Sequence, residues 1–332
     1  MDHNPNLASS ELGSIWGSYM AESLNICLMK HFIANVEDPD IKEIVQFSKA
    51  LSEGHLKSVT SIFQQEGIPI PQGYTDADVN EEAPRLFSDT YYLRFLQFMA
   101  RTGASINGMA LGTSYREDTL AYYRAAINES TELYNRVINL MKVKGILVRT
   151  PYMNYPTKVE FIEDDSFLSG ILTTNKRSLL AIEINHLSNN IEANAIGRTL
   201  MDALTQVTAS NKVKQHLQDG YKLATDVIKT LQNTLDKNHT YSPFPSDSTI
   251  TDSKVAPFSD KIMMGLSSIL STISMGMLGQ GLAASMRTDL IASYTQLIAK
   301  VGKYASTGAK IAIGEGWMEK PPQTTDRNKL QK

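Results

Sequence analysis

The chain has 332 residues, of which 42% are hydrophobic and 20% charged, and this ordinary globular composition excludes a disordered or collagen-like protein. Its 32 basic and 35 acidic side chains give a formal net charge of -3, so we expect no nucleic-acid partner. Cys27 is the single cysteine, which excludes an internal disulfide framework, and together with the absence of a visible secretory signal it predicts a cytoplasmic protein.

The sequence contains an internal duplication. From Phe87 onward, identical residues recur 171 positions later, and upstream of Pro71 they recur 172 positions later. The pairs include Phe87/Phe258, Gly108/Gly279, Arg116/Arg287, Asp118/Asp289, Tyr123/Tyr294, Glu11/Glu183, Leu28/Leu200 and Pro71/Pro243. A one-residue length change marks a loop, because loops absorb insertions that packed helices do not. We predict two homologous domains at 8-151 and 178-322, joined by a strap at 152-177 and followed by a polar tail at 323-332.

Each repeat has the pattern of four helices. In the first repeat, apolar residues recur at helical spacing from Leu12 to Ile33 and again after Asp38, which with Pro39 forms a typical helix start. The second helix is expected to end at Gly67 and the third to begin at Ser88. The fourth helix of each repeat is predicted from near Asp118 to Gly145 and from near Asp289 to Gly316.

The connection lengths predict the topology. The links between the first and second helices and between the third and fourth helices are short, so each pair forms an antiparallel hairpin. The link from Gly67 to Phe87 is about twenty residues, long enough to run back along a helix. Two hairpins joined by one long crossover are typical of ferritin-like proteins. We therefore predict an all-α fold of two tandem ferritin-like four-helix bundles.

One segment raises the question of a membrane span. Residues 262–286 carry no charge over a length that would cross a bilayer. The equivalent segment 91–115 contains Arg94 and Arg101, which favours a helix inside a protein bundle. We expect no membrane span.

A ferritin-like bundle also raises the question of a di-iron site, which needs carboxylates on all four helices. In the third helix of each repeat there is no Asp, Glu or His between Asp89 and Glu117 or between Asp260 and Asp289, so a standard di-iron site is not expected. Glu183 and His186 form a Glu-x-x-His pair on one helical face and are the metal-ligand candidates, with Asp219 and Asp226 as further carboxylates. The competing interpretation is a buried structural polar pair.

No motif for catalysis or cofactor binding is present. The chain lacks a glycine-rich phosphate loop, a Gly-x-Ser-x-Gly turn and a Cys/His nucleophile pair, so we predict no catalytic and no cofactor-binding residue. His55 is interpreted as a structural or solvent-facing histidine, because Glu53 points to another helical face. Arg116 and Asp118, like Arg287 and Asp289, are interpreted as a structural device at the turn between the third and fourth helices.

Several stretches carry a family resemblance. They are Glu11 to Trp16, Asn80 to Asp89, Glu183 to Leu187, Val255 to Met264, Ala283 to Leu290 and Gly314 to Pro322. They resemble a duplicated ferritin-like family of unknown function from spore-forming bacilli, similar to spore coat protein F. The resemblance implies a role in sporulation or the spore coat and no known activity.

Two functions remain open at the level of sequence. The first is a non-enzymatic structural or interaction protein that needs no cofactor and whose partners are spore coat proteins or a second copy in a homodimer. The alternative is a metal- or small-ligand-binding protein, or an atypical enzyme, that uses the second bundle around Glu183 and His186.

Overall fold

The computed structural model describes residues 5–171, 176–240, 250–327 and 331. These residues form eight α-helices and no β-strand, which confirms the predicted all-α class. The helices are α1 (Ser9–Asn35), α2 (Pro39–Gln65), α3 (Asp89–Leu111), α4 (Glu117–Val143), α5 (Ala181–Val207), α6 (Asn211–Lys237), α7 (Asp260–Ala284) and α8 (Thr288–Gly314).

The helix bounds reproduce the duplication, except that α7 ends two residues beyond the equivalent of the last residue of α3. Both ends of α5 and α6 lie 172 positions after those of α1 and α2, and α7 and α8 begin 171 positions after α3 and α4. The left-handed residues that follow the helices also repeat, since Gly67 has a φ of 63° and His239, 172 positions later, has a φ of 52°. Gly145 and Gly316 form the second such pair. The predicted pair of tandem four-helix repeats is therefore confirmed.

The helix starts use the predicted capping residues. Asp38 accepts hydrogen bonds from the backbone N–H groups of Asp40 and Ile41, and Pro39 opens α2. Ser210 caps α6 in the same way, and Ser88 caps α3 by accepting from the N–H of Tyr91. These bonds satisfy backbone donors that the first turn of a helix leaves without a partner.

Each repeat packs its four helices around a core of its own. In the first repeat α1 lies against α2, α3 against α4 and α2 against α4. The core of this bundle contains Ile15, Val59, Ile62, Phe63, Ala110, Tyr122 and Tyr123. In the second repeat the four helices meet around Ile184, Leu187, Ile191, Val227, Leu231, Leu278, Leu290, Tyr294, Leu297 and Val301.

The chain divides into two compact units. The first contains Met1–Gly145, Val255–Ile262 and Ile313–Lys332, and the second contains Ile146–Lys254 and Met263–Ala312. The domain bounds predicted from the repeat, 8-151 and 178-322, stay a prediction.

The first unit includes a short segment from the second half of the sequence. Phe258 forms an isolated antiparallel bridge with Val79 in the long α2–α3 connection, and its ring lies edge-on to His31, with 5.4 Å between the ring centres. Lys261 donates to the carbonyl of Gly73 at 2.6 Å. The α2–α3 connection thus packs against residues 255–262 of the second half of the sequence.

The strap between the repeats lacks α-helix in its described part, residues 152–171 and 176–177, and contains one 3-10 turn, Asp165–Leu168. Most of its large hydrophobic side chains are exposed, as Tyr155 at 92% and Phe161 at 87% illustrate, whereas Phe167 is half-buried beneath Arg177. Part of the predicted strap, residues 172–175, lies outside the described residues.

Helix α7 is long and apolar enough to cross a membrane by length and composition, with a mean hydropathy of 1.5 in its most apolar window. It contributes Leu278 to the core of the second bundle, with Met275 and Leu282 packed beside it. This use of its apolar face is typical of a core helix in a protein bundle.

Candidate functional site

The candidate metal ligand Glu183 occupies the same position in its repeat as Glu11 in the first. Glu11 accepts hydrogen bonds from the backbone N–H groups of Tyr115 and Arg116, both at 2.8 Å. Glu183 accepts from the N–H of Met286, the equivalent of Tyr115, at 3.2 Å. Each glutamate therefore ties the first helix of its bundle to the turn between the third and fourth helices.

Both glutamates are buried and charged. Burial alone would raise their pKa, but the backbone donors, joined at Glu11 by the Thr119 hydroxyl, lower the pKa of Glu11 to about 2. At Glu183 burial is outweighed by Arg177, whose Nη1 and Nη2 contact the two carboxylate oxygens at 2.8 and 2.7 Å, and the pKa is lowered. Both Glu183 oxygens are thus already bonded within the protein.

The two further carboxylates named with Glu183 and His186 each pair with a lysine. His186 is half-buried, and this burial lowers its pKa. Asp219 pairs with Lys222 at 3.5 Å and Asp226 with Lys300 at 2.6 Å. Among the described residues no group of three or more His, Cys, Asp or Glu side chains is placed to hold a metal ion. The assignment of Glu183 and His186 as metal ligands stays a prediction.

The arginine–aspartate pairs form the corner between the third and fourth helices. Arg287 is buried and makes a bidentate ion pair with Asp289 through contacts of 3.0 and 2.9 Å. Its Nη1 also donates to the carbonyl of Arg177 at 2.8 Å, as Arg116 donates to that of Pro5 at 3.1 Å. Both pairs hold the chain before the first helix against this corner.

A histidine bridge, formed by Glu22, His55 and Glu129, crosses the first bundle. His55 Nδ1 lies 2.9 Å from Glu22 Oε1 on α1, and its Nε2 lies 2.5 Å from Glu129 Oε2 on α4. Burial would lower the pKa of His55, but the two carboxylates raise it above its ordinary value. The imidazole joins three helices and, when protonated, donates to both glutamates.

The histidine bridge shows which of the two interpretations of His55 holds. His55 is 8% exposed, so it is a structural histidine and the solvent-facing alternative is excluded. Its carboxylates are 33 and 74 residues away, so sequence spacing carried no signal for their convergence.

A second polar network lies inside the second bundle. His216 on α6 stacks on Tyr304 of α8 with 4.2 Å between ring centres, and its Nε2 lies 3.0 Å from Ser267 Oγ on α7. Ser267 Oγ lies 2.8 Å from the Tyr304 hydroxyl. Burial lowers the pKa of His216 to about 4, so the ring is neutral at pH 7 and the network joins three helices without a charge.

These observations define the class of the protein as a duplicated all-α protein whose buried polar groups connect helices. A family model described as "Protein of unknown function (DUF3231)" matches residues 1–159 and again 169–330, and the chain belongs to this family. The two matches correspond to the two repeats.

One solved structure is similar to part of the chain. It is described as a "putative spore coat protein" from Bacillus halodurans C-125, is 18% identical and gives a TM-score of 0.42. The similarity covers 46% of this chain and 98% of that one. The comparison with curated proteins finds no match.

Proposed function

We propose that this protein is a non-enzymatic structural or interaction protein of sporulating cells, built on two ferritin-like bundles and assembled with proteins of the spore coat. The link to spores rests on the sequence resemblance of stretches such as Asn80 to Asp89 and Val255 to Met264. The interaction role rests on the strap between the repeats.

The observation that carries the proposal is the apolar exposure of this strap. Within residues 152–162, five large hydrophobic side chains are each more than 60% exposed: Tyr152, Tyr155, Val159, Phe161 and Ile162. Contiguous exposed apolar surface is typical of protein interaction sites, since leaving it in water is unfavourable.

Charge on the strap favours a particular kind of partner. The strap also carries four carboxylates: Glu160 lies between Val159 and Phe161, and Glu163, Asp164 and Asp165 follow Ile162. Lys158 pairs with Glu160 at 2.8 Å. An acidic, apolar segment is complemented by an apolar surface with a basic rim. We therefore propose a coat protein with such a surface as the partner of the strap.

The polar groups of the bundles support the non-enzymatic part of the proposal. Glu11, Glu183, His55 and His216 each bond to residues of other helices or of turns. These bonds connect elements of the fold. Helix α7 serves as a core helix in this proposal, and no membrane span is proposed.

The first test is localisation. Quantitative mass spectrometry of coat, core, membrane and cytosol fractions from sporulating cells is expected to find the protein enriched in the coat. A protein equally abundant in the cytosol of vegetative cells would contradict the spore assignment.

The second test addresses the strap. Tyr155→Ser combined with Phe161→Ser is expected to reduce coat enrichment by about thirtyfold, because two large contacts of about 1 kcal/mol each are removed. The matched control is Tyr115→Ser with Val143→Ser, which changes two exposed apolar side chains outside the strap. Equal incorporation of both double variants would contradict the role of the strap.

Sedimentation of the purified chain distinguishes a homodimer from a coat partner.

The alternative assignment at Glu183 and His186 is tested by metal analysis of protein purified without an affinity tag. Stoichiometric metal that is lost in His186→Ala would support a metal-binding protein and contradict the purely structural role. Since His186 is half-buried, this variant is expected to retain the fold.

A further inference from the structure

A polar pocket of about 570 Å³ opens in the second unit, between the end of α6 and the beginning of α8. This volume lies within the range of small-molecule sites, about 300 to 1,000 Å³. Neither Glu183 nor His186 lines it. We call it the corner pocket because its wall includes the Arg287–Asp289 corner.

The corner pocket is positively charged. Its described lining residues include three cations, Lys176, Lys237 and Arg287, and one carboxylate, that of Asp289. Asp289 is held by Arg287 and by Lys176, whose Nζ lies 2.9 Å from Oδ2. Lys237 makes no ion pair with any residue that the structure describes, and its ammonium group remains available to a ligand.

The duplication shows how this space arises. The corner-pocket residues Thr234 on α6 and Ser293 on α8 are the repeat equivalents of Ile62 on α2 and Tyr122 on α4. Ile62 and Tyr122 are buried in the core of the first bundle. The second repeat thus places small hydroxyl side chains where the first fills the space with a branched alkyl group and an aromatic ring.

The two repeats also differ in charge at the corner between the third and fourth helices. In the first repeat Glu66 contacts Arg116 Nη1 at 2.8 Å. Its equivalent in the second repeat is Asn238, whose Oδ1 accepts from Arg287 Nη1 at 2.9 Å. An amide has replaced a carboxylate, so the corner pocket lacks a negative charge that the first repeat has.

We propose that the corner pocket binds a small polyhydroxylated anion of the phosphate monoester class. The ammonium groups of Lys176 and Lys237 attract the phosphate, while hydroxyl and amide side chains such as Thr234, Ser293 and Asn233 hydrogen-bond to the hydroxyl groups of the ligand. Among the residues that the structure describes, no aromatic side chain lines the pocket, which favours a sugar or polyol over a nucleobase. This inference is independent of the proposed coat role.

The test is titration calorimetry of the full chain with glycerol 3-phosphate and with inorganic phosphate at low salt. We expect one site per chain and tighter binding of glycerol 3-phosphate, because only this probe offers hydroxyl groups to the pocket wall. No heat with either probe would overturn the proposal. Equal affinity for both probes would overturn the assignment of a polyol ligand.

Variants locate the site. Lys237→Gln changes an exposed side chain and is expected to weaken binding by about tenfold, the effect of losing one charge-assisted contact. The control Lys222→Gln changes an exposed lysine on the same helix outside the pocket and should bind like the original chain. Equal affinities of the two variants would place the anion elsewhere and overturn the assignment.

A double variant fills the corner pocket with the side chains of the first repeat. Thr234→Ile with Ser293→Tyr introduces the side chains that fill the equivalent place in the first bundle. Binding is expected to be lost while the circular dichroism of the helices is retained. Undiminished binding by this folded variant would show that the corner pocket is not the site.

Discussion

The stabilising effect of the His55 bridge between helices depends on pH, because the imidazole must be protonated to donate to both carboxylates. Its two carboxylates raise its pKa in the folded chain, so folding favours the protonated imidazole. Such a group contributes its full stability below the unfolded pKa of about 6.5, and the contribution is lost as the pH rises through the folded pKa. The histidine bridge therefore stabilises the first bundle most in mildly acidic solution.

We predict that His55→Gln lowers the free energy of unfolding by about 1.5 to 3 kcal/mol at pH 6, the range for hydrogen bonds to charged groups. The lower end is expected because the Glu129 side chain is 41% exposed and solvent screens the pair. At pH 9 the difference should shrink. Urea denaturation across this pH range measures both quantities.

The control for this prediction is Glu132→Gln on α4, the helix that carries the His55 partner Glu129. Glu132 pairs with Arg136 at 2.8 Å, and both side chains are more than 40% exposed. Its loss should change stability by less than about 0.5 kcal/mol without a marked pH dependence. A pH-independent effect of His55→Gln would contradict the charged bridge.

The role of a single residue could be predicted from the sequence where it depends only on neighbouring residues in the chain. Asp38, Ser88 and Ser210 are capping residues whose position before a helical pattern identifies them. The partners of His55 come from α1 and α4, and their convergence depends on the rotation of packed helices about their axes. Helical spacing within one segment does not carry that information.

At the scale of elements, α7 has features of both a core helix and a membrane helix, and its glycines distinguish the two. A Cβ atom on Gly281 would lie 2.6 Å from the ring of Tyr294, which is buried on α8. A Cβ atom on Gly279, two residues earlier, would meet no atom within 4 Å. Close packing of α7 on α8 therefore depends on Gly281.

We predict opposite effects for the two alanine substitutions. Gly281→Ala should destabilise the protein by about 1 to 3 kcal/mol, since a buried aromatic ring must move. Gly279→Ala should stabilise it by up to about 1 kcal/mol, because alanine is the better helix former. Thermal unfolding without detergent measures both, and equal effects would contradict the packing of α7 inside the bundle.

The elements themselves were largely accessible from the sequence. The one-residue change of offset between Pro71 and Phe87 falls in the α2–α3 connection, as expected for an insertion in a loop. Helical period and connection length were enough for the order of the helices. The contact of this connection with residues 255–262 was not predicted, because extended segments carry no periodic pattern that identifies their partner.

At the scale of the whole molecule, duplication has been followed by divergence of the polar interior. The equivalent of His55 is Val227, and the equivalent of His216 is Ile44, so each bundle has a histidine network that the other replaces with an apolar side chain. Glu11 and its equivalent Glu183, which bond to the turn between the third and fourth helices, are retained in both repeats. The retained glutamates hold the bundle together in both repeats. The histidine networks, in contrast, give each bundle a different polar interior.

Phe258 provides the prediction for the whole molecule. It belongs to the second half of the sequence but lies within the first compact unit, where it is 3% exposed and contacts His31 and Val79. Phe258→Ala should destabilise this unit by about 3 to 5 kcal/mol, the cost of a large cavity. Trp16 and Trp317, the two tryptophans of the chain, both belong to the first unit, so their fluorescence reports its unfolding.

In the full chain, the fluorescence-detected urea midpoint should therefore fall in Phe258→Ala. Val255→Ala is the matched control, since it removes alkyl atoms from the same segment at a side chain that is 45% exposed, and its effect should stay below about 1 kcal/mol. An unchanged tryptophan midpoint in Phe258→Ala would mean that residues 255–262 do not stabilise the first unit. A lowered midpoint would mean that the first repeat needs a segment of the second for its full stability, which gives a physical reason for keeping both repeats in one chain.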